Sequence, residues 1–129
     1  MCIRDRYQLG QVGEWVPMTF LVADVDGHLV GRTSIRHRLN EFLAHEGGHI
    51  GYGVVPDQRR KGYATEILRL SLAVARDVGV QRALVTCDDD NVGSATVIER
   101  CGGQYDSVVT SSDGSLVRRY WIDCGHDPR

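Results

Sequence analysis

Lysine is all but missing from this 129-residue chain, with Lys61 the only one. Positive charge therefore rests on arginine, and the 15 Lys plus Arg fall short of the 17 Asp plus Glu, for a formal net charge of -2. That balance excludes the broad basic field that holds nucleic acid or an anionic membrane surface, so any anion site has to be local. No nucleic acid and no membrane partner is expected. Long apolar runs are missing too: no window approaches the roughly 20 residues of a membrane span, and the N-terminus has no apolar signal-peptide core. A cytoplasmic location follows as the expectation. Cysteine is sparse, since Cys2, Cys87, Cys101 and Cys124 form no C-x-x-C pair. This excludes a zinc knuckle and a dense disulfide frame, and the thiols are expected to be reduced, with Cys87 and Cys101 in the core.

What remains is 42% hydrophobic and 25% charged, enough for one domain with one core. Residues 1–17 are expected to be an irregular N-terminal segment, with 1–6 non-native, residues 18–123 the domain, and 124–129 a polar tail. Residues 18–25 and 29–38 are β-rich runs around Asp26-Gly27, which suits a hairpin turn. In the second run Val30, Arg32, Ser34, Arg36 and Arg38 share one face, which is thus strongly cationic. Residues 39–46 read as a helical turn ended by Gly47-Gly48, and 49–55 as a strand stopped by Pro56. Gly51 and Gly53 in that strand mark a bulge, or a place where another backbone or a ligand comes close.

From Gly62 to Val78 the apolar residues Tyr63, Ile67, Leu70, Val74 and Val78 follow helical spacing, with Gly79 placed to end the helix. Residues 82–87 form a short apolar run, as a buried parallel strand does, so strand, helix and strand make a βαβ unit, expected right-handed. A second helix is expected over 91–101, closed by Gly102-Gly103, and a closing hairpin over 104–110 and 116–122.

The chemistry concentrates in Val54-Val55-Pro56-Asp57-Gln58-Arg59-Arg60-Lys61-Gly62-Tyr63-Ala64, a strand running into a basic loop and a helix start. Unpaired amides at a helix N-terminus, with the positive end of the macrodipole, bind phosphate. Arg59, Arg60 and Lys61 add cations there, while Gly62 and Ala64 let a pyrophosphate approach the backbone. The G-x-x-x-x-G-K-[ST] loop is absent, and Gly51-x-Gly53 is followed by no third glycine opening a helix. What is present is R-x-x-G-x-A. The run V-x-P-x-x-R-R-K-G-Y-A resembles the acetyl-CoA signature of the GNAT superfamily of N-acetyltransferases. Asn91-x-x-Ser94, with Glu99 and Gly102 following, is similar to that family's second motif.

The resemblance spans about Met18 to Ile122. It implies an α/β fold with a mixed, splayed β-sheet flanked by helices and a central strand-loop-helix site for the acyl-CoA pyrophosphate. Residues 49–55 would part from 82–87, with the pantetheine arm between them. By the family pattern, backbone groups of Val54 and Val55 hold the pantetheine amides. Arg59, Arg60, Lys61, Gly62, Tyr63 and Ala64 cradle the pyrophosphate, and Asn91 contacts the arm. The implied activity is acetyl transfer from acetyl-CoA, a co-substrate, to an amine by direct attack in a ternary complex, with no metal and no covalent intermediate. The acceptor would be a small-molecule or peptide amine.

Two departures from the family stand out. Its thiolate-protonating tyrosine falls seven residues after the asparagine, where this chain has Ile98. Family members also place a strand and two helices before the hairpin, where this chain has about 17 residues, so the acceptor wall is expected to be incomplete or supplied by a second subunit, as in a homodimer. For the base that takes the amine proton the candidates are His49 and Tyr52, with His37 a further one, since a neutral imidazole can accept it. The arginine face could bind an anionic acceptor.

His45-Glu46-Gly47-Gly48-His49 matches H-E-x-x-H, the mark of a zinc hydrolase when both histidines face the metal from one helix. Gly47-Gly48 falls where that helix has to be continuous, which argues against the arrangement. A third alternative is an acyl-CoA-binding module without turnover, suggested by Ile98 and the short N-terminus.

Overall fold

The computed structural model describes residues 16–124, together with the backbone of a strand at Cys2–Leu9. The elements are β1 (Cys2–Leu9), β2 (Met18–Val25), β3 (His28–Arg36), β4 (Ile50–Val54), α1 (Tyr63–Asp77), β5 (Arg82–Asp88), α2 (Val92–Arg100), β6 (Gln104–Thr110) and β7 (Leu116–Asp123). They build one sheet of seven strands in the order β1-β2-β3-β4-β5-β7-β6. Every neighbouring pair is antiparallel except β4 with β5, the pair joined through α1.

Asp26 and Gly27 both take positive φ, 53° and 82°, and close the β2–β3 hairpin. A register shift beside Ala23 leaves Val30 as an extra residue in β3, and its side chain is buried with Ala23 and Ile67. Val30 therefore leaves the face that strict alternation would have it share with Arg32 and Arg36. The opening segment, expected to be irregular, instead contributes β1, paired along β2 from Cys2–Asp24 to Leu9–Met18. A bulge between Asp5 and Tyr7 interrupts its period of two, so the segment shows no clean alternation although its backbone fills the edge of β2. The tail after Cys124 lies outside the described residues.

The amphipathic stripe of α1 lies over β3 and β4, burying Ile67 and Leu68 completely. Each such side chain contributes roughly 1.5–3 kcal/mol on leaving water. Ser71, on the same buried stripe, donates to Ile67 O at 2.7 Å and shares a 2.8 Å hydrogen bond with Thr33 of β3, so its hydroxyl is not orphaned. Ile98 of α2 is fully buried in the main core with Val85, Tyr120 and Ile122. A Cβ on Gly103 would lie 2.5 Å from the Ile98 side chain, which explains the glycine after this helix.

Residues Leu43–Gly47 form a π turn, opened by Asn40, whose Oδ1 accepts from Leu43 N at 2.9 Å. It carries the chain from β3 to β4, and its carbonyls and side chains reach across to the β5–β7 half of the sheet. Arg119 Nη2 donates to Ala44 O, Thr86 Oγ1 to Glu46 O, and Ser112 N to the Glu46 carboxylate.

Candidate active site

The sheet parts in its middle. Arg36 N donates to His49 O at 2.7 Å and Val55 N to Val30 O at 2.9 Å, with Gly31 opposite Val54 and Ile35 opposite Ile50. Antiparallel alternation then turns the main-chain groups of Gly51, Gly53 and Val55 toward β3, and those of Tyr52 and Val54 toward β5. Yet β5 pairs with β4 only at Ile50–Val85. Beyond that point the strands diverge, and the main-chain N–H and C=O groups of Tyr52 and Val54 face a gap. This corrects the expectation for Val55: its N–H is taken by Val30 O and its carbonyl accepts from Gln58 N at 2.9 Å. The free edge belongs to every second residue, so Tyr52 stands beside Val54 where Val55 was expected.

At the wide end of the gap, Pro56–Gln58 make one 3-10 turn and the chain enters α1. Arg60 and Gly62 adopt left-handed φ of 65° and 81°, which folds the loop back so that the helix start is presented outward. Nothing lies within 4 Å of a Cβ built on Gly62, so this glycine answers a conformational need. The first helical hydrogen bond runs from Glu66 N to Gly62 O, and no side chain caps the start. The amides of Tyr63, Ala64 and Thr65 are thereby left for an outside acceptor. Arg59, Arg60 and Lys61 are exposed around them, Lys61 donating to Gln58 Oε1 at 3.1 Å, while Tyr63 packs inward against Ala23, Val30 and Ile67.

The gap opens into a cleft of about 410 Å³, whose walls include Arg32, Arg36, Glu46, Gly51, Tyr52, Thr86, Cys87, Asn91 and Ser94, with Ser111 and Asp113 from the β6–β7 turn. Of the residues singled out in the sequence, Arg32, Arg36, Gly51, Tyr52, Asn91 and Ser94 line it; His49, Val54, Val55 and the basic loop stand outside its lining. Asn91 caps α2, its Oδ1 accepting from Ser94 N at 3.1 Å, which turns its amide toward the same opening. Cys87 lines the wall with its thiol pushed up by burial, against partial relief from Arg118, so it is not an activated nucleophile. Thr86 and the β6–β7 turn were not singled out in the sequence, and Cys87 was expected in the core, because only the divergence of two strands gathers them.

His49 does not present a basic nitrogen. It is buried, its Nδ1 accepts from Leu84 N at 2.9 Å, and its own amide donates to Leu84 O at 2.7 Å. An Nδ1 that accepts an N–H is the unprotonated nitrogen, so Nε2 carries the hydrogen and neither has a lone pair to offer an amine. Burial, reinforced by Arg36, pulls its pKa down to about 4. His49 is thus a clamp between β4 and β5, correcting the role of base. His37 lies outside the cleft lining, with its Nε2 2.7 Å from Thr19 Oγ1. Tyr52 is no base either, because burial first, and the Cys87 and Cys101 thiols second, raise its pKa and hold the phenol protonated. Its Oη is sealed from solvent with no hydrogen-bond partner; the nearby Ser94 hydroxyl offsets part of the shift without closing a bond of normal geometry.

The H-E-x-x-H match has a structural resolution. His45 Nε2 meets Thr110 O at 2.8 Å while His49 meets Leu84 N, and Gly48 between them takes φ 73° and ψ 179°. The two imidazoles serve different strands. Among the described residues no group of His, Cys, Asp or Glu is arranged to hold a metal ion.

An uncapped helix start thus stands at the mouth of a gap between two diverging strands of an α/β fold. The sequence matches the model of the acetyltransferase (GNAT) domain over residues 3–104, and the chain belongs to that family. No match was found among curated protein sequences. The fold is similar to that of YncA, a putative acetyltransferase from Salmonella typhimurium solved with acetyl-CoA: TM-score 0.65, 15% identity, 87% of this chain and 68% of that one. A mutant spermidine N-acetyltransferase SpeG from Vibrio cholerae gives 0.66 at 17% identity, over 83% of this chain and 66% of that one. A ribosomal-protein-alanine N-acetyltransferase from Brucella melitensis gives 0.67 at 18%, over 82% and 68%. The chain thus spans about two thirds of the length of these proteins.

Proposed function

We propose that this chain is an acetyl-CoA-dependent N-acetyltransferase in which an amine attacks the thioester directly within a ternary complex. The amine nitrogen bonds to the acetyl carbon, the C–S bond breaks, the amine gives up its proton to solvent, and solvent returns one to the sulfur, so that CoA departs as the thiol. The observation that carries this is the free main-chain edge of Tyr52 and Val54, which leads from the gap to the uncapped start of α1. That edge offers a two-sided hydrogen-bonding rail to the amides of a pantetheine arm, as a missing strand would. The pyrophosphate is assigned to the amides of Tyr63 and Ala64 beside Gly62, with Arg59, Arg60 and Lys61 around it. Asn91 is assigned to the arm. The main-chain N–H of Val54 is assigned to the thioester oxygen, which gains charge during attack. The protonated Tyr52 phenol, short of a partner, is assigned as hydrogen-bond donor to the departing sulfur, where Ile98 has nothing to give.

Isothermal titration with acetyl-CoA tests the site. Each charge-assisted hydrogen bond to phosphate is worth about 1.5–3 kcal/mol when shielded and less when wet. For the exposed Arg59 and Lys61, Arg59→Ala with Lys61→Ala together should raise Kd by roughly 10- to 50-fold. Unchanged affinity in the double variant would remove the loop from the site. Thiol release with a panel of amines tests the reaction, and tight binding without release from any amine would reduce the protein to a binding module.

A further inference from the structure

Thr33 and Ile35 of β3 face α1, as the Thr33–Ser71 bond requires, so Arg32, Ser34 and Arg36 lie on the opposite side of the sheet. Arg36 lies over Gly51 and Arg32 over Gly53: a Cβ on Gly51 would come within 3.2 Å of Arg36 Nη1, and one on Gly53 within 3.7 Å of Arg32 Nε. Gly51, costly inside a strand, leaves room for the Arg36 guanidinium to lie on β4, while at Gly53 a Cβ would make only ordinary contact with Arg32. Both arginines line the cleft that Tyr52 and Ser94 line from the helix side, so the gap joins the two faces of the sheet.

Neither member of the pair is ion-paired among the described residues. Arg36 has one long bond, Nη1 to Gly47 O at 3.4 Å, and its Nε is buried with no partner. Three carboxylates among the described residues line the same cleft, and none is paired with either arginine: Glu46 accepts from Ser112 N, Asp113 is held by Ser111 and Ser115, and Asp88 stands at the end of β5. The two cations stand close enough to repel each other, and Arg36 is pushed down by burial and by Arg32. A guanidinium with a sealed, unfilled donor beside a second cation is complementary to a small anion that neutralises both.

We infer that Arg32 and Arg36 select an acceptor amine carrying an anionic group, a carboxylate or a phosphate, on the same small molecule. The inference rests on the acetyl-transfer reading: with the thioester in the gap, an acceptor held on the arginine face approaches it from the side opposite the helices. A polyamine would meet two unneutralised cations there.

The test compares kcat/KM at saturating acetyl-CoA for glycine against glycinamide, O-phosphoethanolamine against ethanolamine, and spermidine. The anionic member of one pair should be preferred at least 10-fold, which also tells carboxylate from phosphate. Arg32→Gln, at an exposed position, and Arg36→Gln should each collapse that preference toward one while acetyl-CoA Kd stays within twofold. Arg36→Lys should retain part of it, and guards against a folding defect at Arg36. Equal or better turnover of the neutral amines or spermidine, or a preference that survives Arg32→Gln, overturns the proposal. So does weaker binding of acetyl-CoA but not of its 3′-dephospho form in Arg32→Gln, which would assign the pair to the coenzyme. If no amine turns over, NMR titration of glycine and O-phosphoethanolamine into the CoA complex decides: binding lost in Arg32→Gln supports the site, and no binding overturns it. Failure of acetyl-CoA itself to bind would instead sink the acetyl-transfer reading.

Discussion

On one side of the gap, β1 to β4 are laddered along their lengths, with α1 over β3 and β4; on the other, β5, β7 and β6 pair from end to end, with α2 against β5. Between the halves there is one parallel bridge, Ile50–Val85, and the clamp of His49 on both main-chain groups of Leu84. Strands β4 and β5 are long enough to pair further, and the hydrogen bonds they leave unmade are the ones a ligand backbone can make. The main core spans both halves, and further hydrogen bonds between them come from the π turn, where Ala44, His45 and Glu46 bond to β5, β7 and the β6–β7 segment. The halves are thus held at one end and open at the other.

Gly48→Ala should break that arrangement most severely. A Cβ there would sit 2.5 Å from Leu84 O, at φ 73° and ψ 179°, a region open essentially to glycine alone. Strain and displacement together should cost about 3 kcal/mol, lowering Tm by roughly 10 °C. A calorimetric shift under about 3 °C would mean that the halves are not joined through this point.

A smaller loss is expected at His49→Gln, which weakens the acceptor for Leu84 N and should cost about 1–2 kcal/mol at neutral pH. The informative readout is pH. The folded imidazole has its pKa lowered to about 4 from 6.5, so between those values the unfolded chain binds a proton that the folded chain refuses. Stability therefore falls as pH drops from 6.5 toward 4, and is not limited by this group above 6.5. Thermal scans across that window should show a shallower slope in His49→Gln. An unchanged slope would mean that the clamp does not titrate as the geometry requires.

The sequence makes the halves legible and the gap only partly so. Apolar spacing from Tyr63 to Val78 and the short run at 82–87 are local patterns, and α1 and β5 follow them closely. The basic loop was legible because a helix start and clustered cations are neighbours in sequence. Which main-chain groups face the gap was not, because it depends on the β3–β4 register, fixed by pairing Gly31 with Val54. That register exchanges Val55 for Tyr52. The part of His49 was hidden for a related reason: its partner, Leu84, is 35 positions away, and nothing in H-E-x-x-H announces it. Gly51 did signal a close approach, but its agent, Arg36, lies on the adjacent strand.

The smallest change in stability is expected where the gap's own wall is altered, at Tyr52→Phe. The Tyr52 hydroxyl is buried and unpartnered, so deleting it removes an uncompensated polar group and leaves the ring packing between the two core clusters. Stability should stay within about 0.5 kcal/mol or rise slightly. The catalytic consequence separates from that: a phenol that donates to the leaving sulfur acts only as the C–S bond breaks, so kcat should fall about 10-fold with KM for acetyl-CoA little changed. The ultraviolet titration of CoA thiol in the binary complex gives a second readout. With a donor present the bound thiolate is stabilised, and its pKa should rise in Tyr52→Phe. A variant with unaltered kcat and an unaltered thiol titration would make Tyr52 a packing residue, and would leave the β4 side of the gap with main-chain groups alone to offer the thioester.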